Sequence, residues 1–225
     1  MPDTALVVMA RYPQVGMTKT RLARSIGHEE AVRLYRTFLF DLAHRFAGQL
    51  CDLHWAYSPA GVDFQSFMAT LAPALLDQMY SFPQHGAVLG ARLHHAFRWT
   101  YQRGYQRTIV IGSDSPQISL DLVARAREAL NAADVVLGPA DDGGYYLLAM
   151  RKPYDVFHDI PMSTSIVMQM TVELASRQGL RVYTLEHVLD VDELPDLLRL
   201  AELLQADRSL APATATCLAT LKELV

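Results

Sequence analysis

Cysteine is nearly missing from this 225-residue chain: only Cys51 and Cys217 occur, far apart and in unlike settings. That excludes a disulfide framework and a cysteine-based zinc site, and the pair reads as reduced, buried thiols. Also lacking is any apolar run near the ~20 residues of a membrane span. The first residues show no basic n-region or cleavage site, so the cytoplasm is the expected location. Basic excess is missing too. Twenty Lys and Arg face 24 Asp and Glu, and a net charge of −4 argues against a general nucleic-acid binder. Repeats, low-complexity blocks and linkers are absent, so residues 1–225 read as one unit. No heptad pattern sets an oligomeric state.

The glycine patterns of familiar phosphate loops are missing as well. A Walker A loop needs Gly directly before its Lys and another Gly five residues before that. Here Thr18 precedes Lys19, and Pro13 takes the earlier Gly place, with no N–H to offer. The three spaced glycines of the dinucleotide fingerprint are absent. A haloacid-dehalogenase-type phosphatase needs a second Asp two positions after its first, and Pro116 stands there after Asp114.

What is present is an alternation of strand and helix signals. Leu6–Ala10 is an apolar run that predicts a buried parallel strand. It breaks into a loop carrying Arg11, Pro13, Gly16, Thr18, Lys19, Thr20 and Arg21. Backbone N–H groups and cations gathered after a strand suit phosphate, while solvated surface charges are the plainer reading of Lys19 and Arg21. Apolar residues at three- and four-residue steps predict a helix over 29–47, started by Glu29 and Glu30 and ended by Gly48. Further helices are expected near 63–76, 89–103, 120–130, 165–177, 194–206 and 213–224. Strands are expected at 53–57, 78–82, 108–111, 135–137, 146–150 and 181–185. Ser119 and the hydroxyls of 163–165 are candidate caps, as is Asp192 for the helix from Leu194. The alternation implies a single α/β domain.

Polar clusters fall at the predicted strand exits: Lys19/Arg21, Asp114, Asp141/Asp142 and Asp190/Asp192. In a parallel sheet those exits share one edge, so cations and carboxylates from distant sequence meet in one cleft. Two carboxylates about 4 Å apart repel by roughly 4 kcal/mol at an effective dielectric near 20. Their convergence therefore calls for a divalent cation or a raised pKa, and Mg2+ (or Mn2+) suits carboxylates that share it with substrate phosphates. Gln84 and Arg92 stand beside glycines after a strand, where either turn chemistry or ligand contact would place them. Asp142-Gly143-Gly144 is a hairpin turn that also lets backbone pass close to a ligand.

These residues carry a resemblance. Lys19-Thr20-Arg21-Leu22, Gln84-x-Gly86, Leu89-Gly90-x-Arg92, Gly112-x-Asp114-x-Pro116 and Gly138-Pro139-x-x-Asp142-Gly143-Gly144-Tyr145-Tyr146 occur in that order. The chain resembles the bacterial GT-A-type transferases described as radical-SAM/selenodomain-associated glycosyltransferases, within the nucleotide-diphospho-sugar transferase superfamily. Its Lys-Thr-Arg-Leu loop is also similar to that of guanylyltransferases making a coenzyme F420 precursor. The resemblance implies a single three-layer, Rossmann-like domain with a mostly parallel, mixed sheet, nucleotide held by Arg11, Gly16, Lys19, Arg21, Gln84 and Arg92, and metal at Asp114, with Asp192 of the carboxylate cluster as a second candidate ligand. It implies Lys19, Arg21 and Asp142 as the catalytic groups, and an acceptor or sugar side at Gly143, Gly144 and Tyr145. Arg11 stands where the family commonly has Lys, and Val88 where it commonly has an acidic residue.

The implied activity is magnesium-dependent transfer from a nucleotide-sugar to a small acceptor. The basic first loop also suits a nucleotidyltransferase that joins a nucleoside triphosphate to a small phosphorylated substrate and releases pyrophosphate. A nucleotide-binding module without catalysis is the third reading.

Overall fold

The computed structural model describes residues 3–162 and 164–221. One seven-stranded sheet is formed by β1 (Thr4–Arg11), β2 (Asp52–Ser58), β3 (Met79–Pro83), β4 (Arg107–Gly112), β5 (Val135–Pro139), β6 (Tyr145–Met150) and β7 (Val182–Thr184). The order is β3-β2-β1-β4-β6-β5-β7, with β6 antiparallel to both neighbours and every other pair parallel. Connection length explains the exception. The short turn 140–144 between β5 and β6 permits only a hairpin, whereas parallel pairs need a long crossover.

The helices are α1 (Thr20–Ile26), α2 (His28–Phe46), α3 (Phe64–Leu71), α4 (Leu89–Tyr101), α5 (Leu120–Ala129), α6 (Val167–Arg177), α7 (Leu194–Ala206) and α8 (Pro212–Leu221). Strand alternation sorts them into two layers. Leu6 and Val8 of β1 pack in one core with α2, α3, α5, α7 and α8, whereas Val7 packs in a second core with α4 and α6. This is a single three-layer α/β domain of mixed, mostly parallel sheet. Both cysteines are free and buried in the first core. No described helix is long and apolar enough to cross a membrane.

Several boundaries differ from the sequence expectation. α1 was not anticipated, because its seven residues show too short an apolar pattern around buried Leu22 and Ala23. The helix expected over 63–76 divides at Pro73, which cannot donate its N–H, into α3 and a 3-10 turn over Pro73–Gln78. Ser119 caps α5 as expected, its Oγ accepting the Leu122 N–H at 3.1 Å. Among the described residues no hydroxyl caps α6: Ile166 is its N-cap, and the Thr164 hydroxyl donates to the Pro161 carbonyl instead. Ser163 and the last residues of the expected 213–224 helix lie outside the described residues.

Topology positions the site. The chain leaves β1 toward β2 and β3 on one side, while β4 lies on the other. The carboxyl ends of β1 and β4 thus flank a switch point, the place where open α/β sheets hold ligands. Because β6 runs backwards, its first residues reach the same edge.

Candidate active site

A cleft of about 460 Å³ opens at this edge. Its lining includes Arg11, Lys19, Arg21, Gln84, Arg92, Asp114, Asp142, Gly144, Tyr145, Asp190 and Asp192. Most sequence-derived candidates therefore meet in one place. Gly16 and Gly143 are not among the lining residues.

Lys19 is the N-cap of α1 and adopts a left-handed backbone, φ 49° and ψ 45°, uncommon for a residue with a side chain. That bend carries its stem inward over the Phe38 ring, with the ammonium 5.9 Å from the ring centroid. The side chain is only 6% exposed, and its Nζ lies 2.6 Å from Asp114 Oδ1 and 3.7 Å from Asp192 Oδ1. It also donates to the Val191 carbonyl at 2.5 Å. Arg21, more than half exposed, reaches Asp192 Oδ2 at 3.2 Å.

Three bonds bring the β7–α7 loop onto the exit of β4. Val191 N–H donates to the Asp114 carbonyl at 3.1 Å, the Ser115 hydroxyl to Asp190 Oδ1 at 3.3 Å, and the Gln117 amide to the Leu189 carbonyl at 2.6 Å. Asp192 is not the cap of α7. Glu193 and Asp196 form a capping box there, which leaves the Asp192 side chain to the cleft. Asp114, Asp190 and Asp192 consequently offer oxygens that all lie within 4.8 Å of one another.

Electrostatics follow from that crowding. Burial, then the Asp114 charge, pushes Asp190 up to about 7, and Lys19 only partly offsets this. Burial also raises Asp192, again against the pull of Lys19. Three hard oxygen donors, with one carboxylate driven toward its protonated form, fit a divalent cation such as Mg2+ or Mn2+.

The β5–β6 turn divides its two aspartates. Asp142 faces the cleft, with Oδ1 accepting the Gly144 N–H at 2.8 Å. Asp141 pairs instead with Arg199 of α7 at 2.8 Å, so the two do not act as one cluster. Gly143 has a structural duty: at φ +85°, a Cβ there would lie 2.2 Å from the Ser165 carbonyl oxygen. Tyr145 presents its ring, while its hydroxyl is buried near Thr171 of α6 and burial pushes it up to about 12.

Gln84 ties strand ends together, its amide nitrogen donating to the carbonyls of Ala56 at 2.7 Å and Ala10 at 3.2 Å. Arg92 donates to the Gly86 carbonyl at 3.0 Å. Gly86 cannot be substituted easily, since at φ +132° a Cβ would sit 2.9 Å from the Arg92 nitrogen. Arg11 is exposed and forms no ion pair among the described residues. Tyr35, also in the lining, was not singled out by sequence reasoning. The Tyr35 hydroxyl accepts the Arg11 N–H at 3.0 Å and bonds Ser113 Oγ at 2.8 Å, joining the exits of β1 and β4. Its place in the apolar stripe of α2 concealed that second role. Asp190 was placed beside Asp192 in the sequence but was not assigned as a ligand.

The fold and chain match known proteins. A protein from Desulfovibrio desulfuricans G20, provisionally titled a nucleotide-diphospho-sugar transferase, is 35% identical. The match covers 100% of this chain and 97% of that one, with a TM-score of 0.91. Two more distant structures share the fold. One is CMP:2-keto-3-deoxy-manno-octonic acid synthetase complexed with CTP, 12% identical with a TM-score of 0.53 over 91% of this chain and 99% of that one. The other is 4-diphosphocytidyl-2C-methyl-D-erythritol synthase from Anaerococcus prevotii DSM 20548, 10% identical with a TM-score of 0.58 over 90% and 96%. Comparison with curated protein sequences gave no match. Residues 42–164 match the family described as "Uncharacterized protein conserved in bacteria (DUF2064)". With more than half of its length matched, and with the Desulfovibrio relative alongside, the chain belongs to this DUF2064 family, within the nucleotide-diphospho-sugar transferase superfamily.

Proposed function

We propose that the chain is a divalent-metal-dependent transferase that moves a glycosyl group from a nucleotide-sugar to a small hydroxyl-bearing acceptor. The observation that carries this reading is one cleft lined by Arg11, Lys19, Arg21 and Arg92 together with the Asp114/Asp190/Asp192 cluster. Cations of that kind hold a diphosphate, and the carboxylates hold the metal that accompanies it. When bound, the metal supplies charge stabilisation for the departing nucleoside diphosphate.

The chain's own groups then divide the work. Arg11, Arg21 and Arg92 bind and orient the phosphates, and Lys19 neutralises charge that grows on the leaving oxygen. Asp142 stands in the cleft as an acceptor-side carboxylate, placed to take the hydroxyl proton while the acceptor oxygen bonds the sugar's anomeric carbon. The bond from that carbon to the diphosphate breaks, and its electron pair leaves with the nucleotide. Tyr145, Met162 and Val167, also in the lining, supply an apolar wall for the acceptor. The proposed unit spans residues 1–225, and its proposed location is the cytoplasm.

Four cations around the cleft also favour a second reading, nucleotidyl transfer from a nucleoside triphosphate to a small phosphorylated substrate. Product analysis separates the two. Incubation with nucleotide-sugars, nucleoside triphosphates and Mg2+ should yield a nucleoside diphosphate from one sugar donor. Pyrophosphate released from a triphosphate, with no nucleotide-sugar consumed, would reject glycosyl transfer in favour of nucleotidyl transfer.

A further inference from the structure

We infer that Lys19 is a built-in competitor of the metal: its ammonium and a divalent ion claim the same carboxylates, and ligand phosphates resolve the contest. This rests on the metal-dependent reading above. The Lys19 ammonium contacts Asp114 Oδ1 at 2.6 Å and Asp192 Oδ1 at 3.7 Å, two of the three carboxylates that would ligate the ion. A magnesium-sized ion binds such an oxygen at about 2.0–2.1 Å. An ammonium 2.6 Å from the Asp114 carboxylate would then face a doubly charged cation across the same group, and at a few ångströms the two positive charges repel.

Lys19 can vacate its place without unfolding anything. Its backbone is fixed at the start of α1, whose Leu22 and Ala23 are buried, so only the four-carbon stem needs to turn. The same cleft that opens on Asp114 is lined by Lys19 itself and by Arg11, so a swing toward it brings the ammonium to bound phosphates. Arg21 holds Asp192 in the same manner but is 59% exposed and does not touch Asp114. It is the natural control. Metal alone must displace Lys19 from its partners, whereas metal arriving with phosphates gives Lys19 new ones. Binding of metal and nucleotide is therefore cooperative, and free metal binds the cleft more weakly alone than with nucleotide.

The test is direct binding of Mn2+ alone, followed by calorimetry and by the paramagnetic signal of the free ion. The proteins are wild type, Lys19→Met, Arg21→Met and Asp114→Asn. Lys19→Met should bind Mn2+ about tenfold or more tightly than wild type, and Arg21→Met less than threefold more tightly. Saturating Mn2+ should raise the melting temperature of Lys19→Met more than that of wild type. Lys19→Gln, which keeps a donor for the Val191 carbonyl, should repeat the gain if Lys19→Met folds poorly. Equal gains in Lys19→Met and Arg21→Met would reduce the effect to net charge and overturn the inference. So would unchanged affinity in both Lys19 variants while Asp114→Asn loses Mn2+, an outcome that leaves the metal cluster standing. If Asp114→Asn binds Mn2+ as wild type does, the metal-site reading itself falls, and this inference with it.

Discussion

The two edges of the sheet handle charge in opposite ways. At the amino edge, Asp3 is bound by two guanidiniums, Arg107 and Arg127, and Arg107 also donates to the Asn131 side chain at 2.7 Å. Its carboxyl is held below the usual range, the Thr4 hydroxyl bond being the largest cause, with both arginines adding to it. Nearby, His54 is buried and bonds the Tyr105 hydroxyl at 3.0 Å, which in turn donates to Asp52 at 2.8 Å. Each carboxylate there has a partner. At the carboxyl edge, three carboxylates crowd one buried ammonium and one exposed guanidinium, and Asp190 is pushed up to about 7. Balanced charge marks the edge that holds the fold. Unbalanced charge marks the edge where the proposed ligand would bind, because Lys19 and Arg21 offset the repulsion there only in part.

The sharpest way to break this contrast is Asp190→Asn. It should lower turnover about a thousandfold, worth ~4 kcal/mol of transition-state stabilisation. It should also raise the melting temperature at pH 8, since a raised pKa means that the ionised form destabilises the fold above pH 7. Lost activity with lost stability would place Asp190 among the supports of the fold.

The amino edge should respond to acid instead. Burial lowers His54 to about 4, and Arg103 adds to this, against an ordinary value of 6.5. A depressed folded pKa means that the unfolded chain binds the extra proton first. Stability should therefore fall as pH drops from 6.5 toward 4, by up to about 3 kcal/mol from this group. Urea unfolding across that window checks it, and His54→Gln should flatten the slope.

Arg11→Ala comes next. It should raise the KM for the nucleotide about tenfold with little change in stability, read by steady-state kinetics, because Arg11 is exposed and has no ion-pair partner among the described residues. The smallest effect belongs to Arg107→Ala, which removes a guanidinium from Asp3 that is 22% exposed. A loss of about 1 kcal/mol is expected, a drop of ~2–4 °C in melting temperature, with kcat unchanged. A fall in kcat would show that the two edges are coupled.

Much of this arrangement was legible before any coordinates. Strand exits could be located from Leu6–Ala10, Thr108–Ile111 and Val135–Leu137, and a parallel sheet forces such exits to one edge, so Lys19 and Asp114 had to approach each other. Three things escaped for physical reasons. The inward turn of Lys19 goes with a left-handed backbone at the start of α1, which residues of its type rarely adopt and which the loop sequence does not signal. The roles of Asp141 and Asp142 differ because α7 offers Arg199 to one of them, a contact 58 residues away in sequence. Tyr35 reads as core by periodicity, and its ring is core; only the hydroxyl, at the end of the side chain, reaches the cleft.

The most direct test of the central claim is thermal unfolding against a panel of nucleotide-sugars and nucleoside triphosphates, with and without Mg2+, in wild type and Asp114→Asn. A ligand at 100 times its dissociation constant stabilises by about 2.7 kcal/mol, a rise of roughly 5–11 °C for a chain of this size. The account predicts such a rise with one nucleotide ligand, dependent on Mg2+ and lost in Asp114→Asn. No rise with any nucleotide, or one indifferent to both Mg2+ and Asp114, would contradict it.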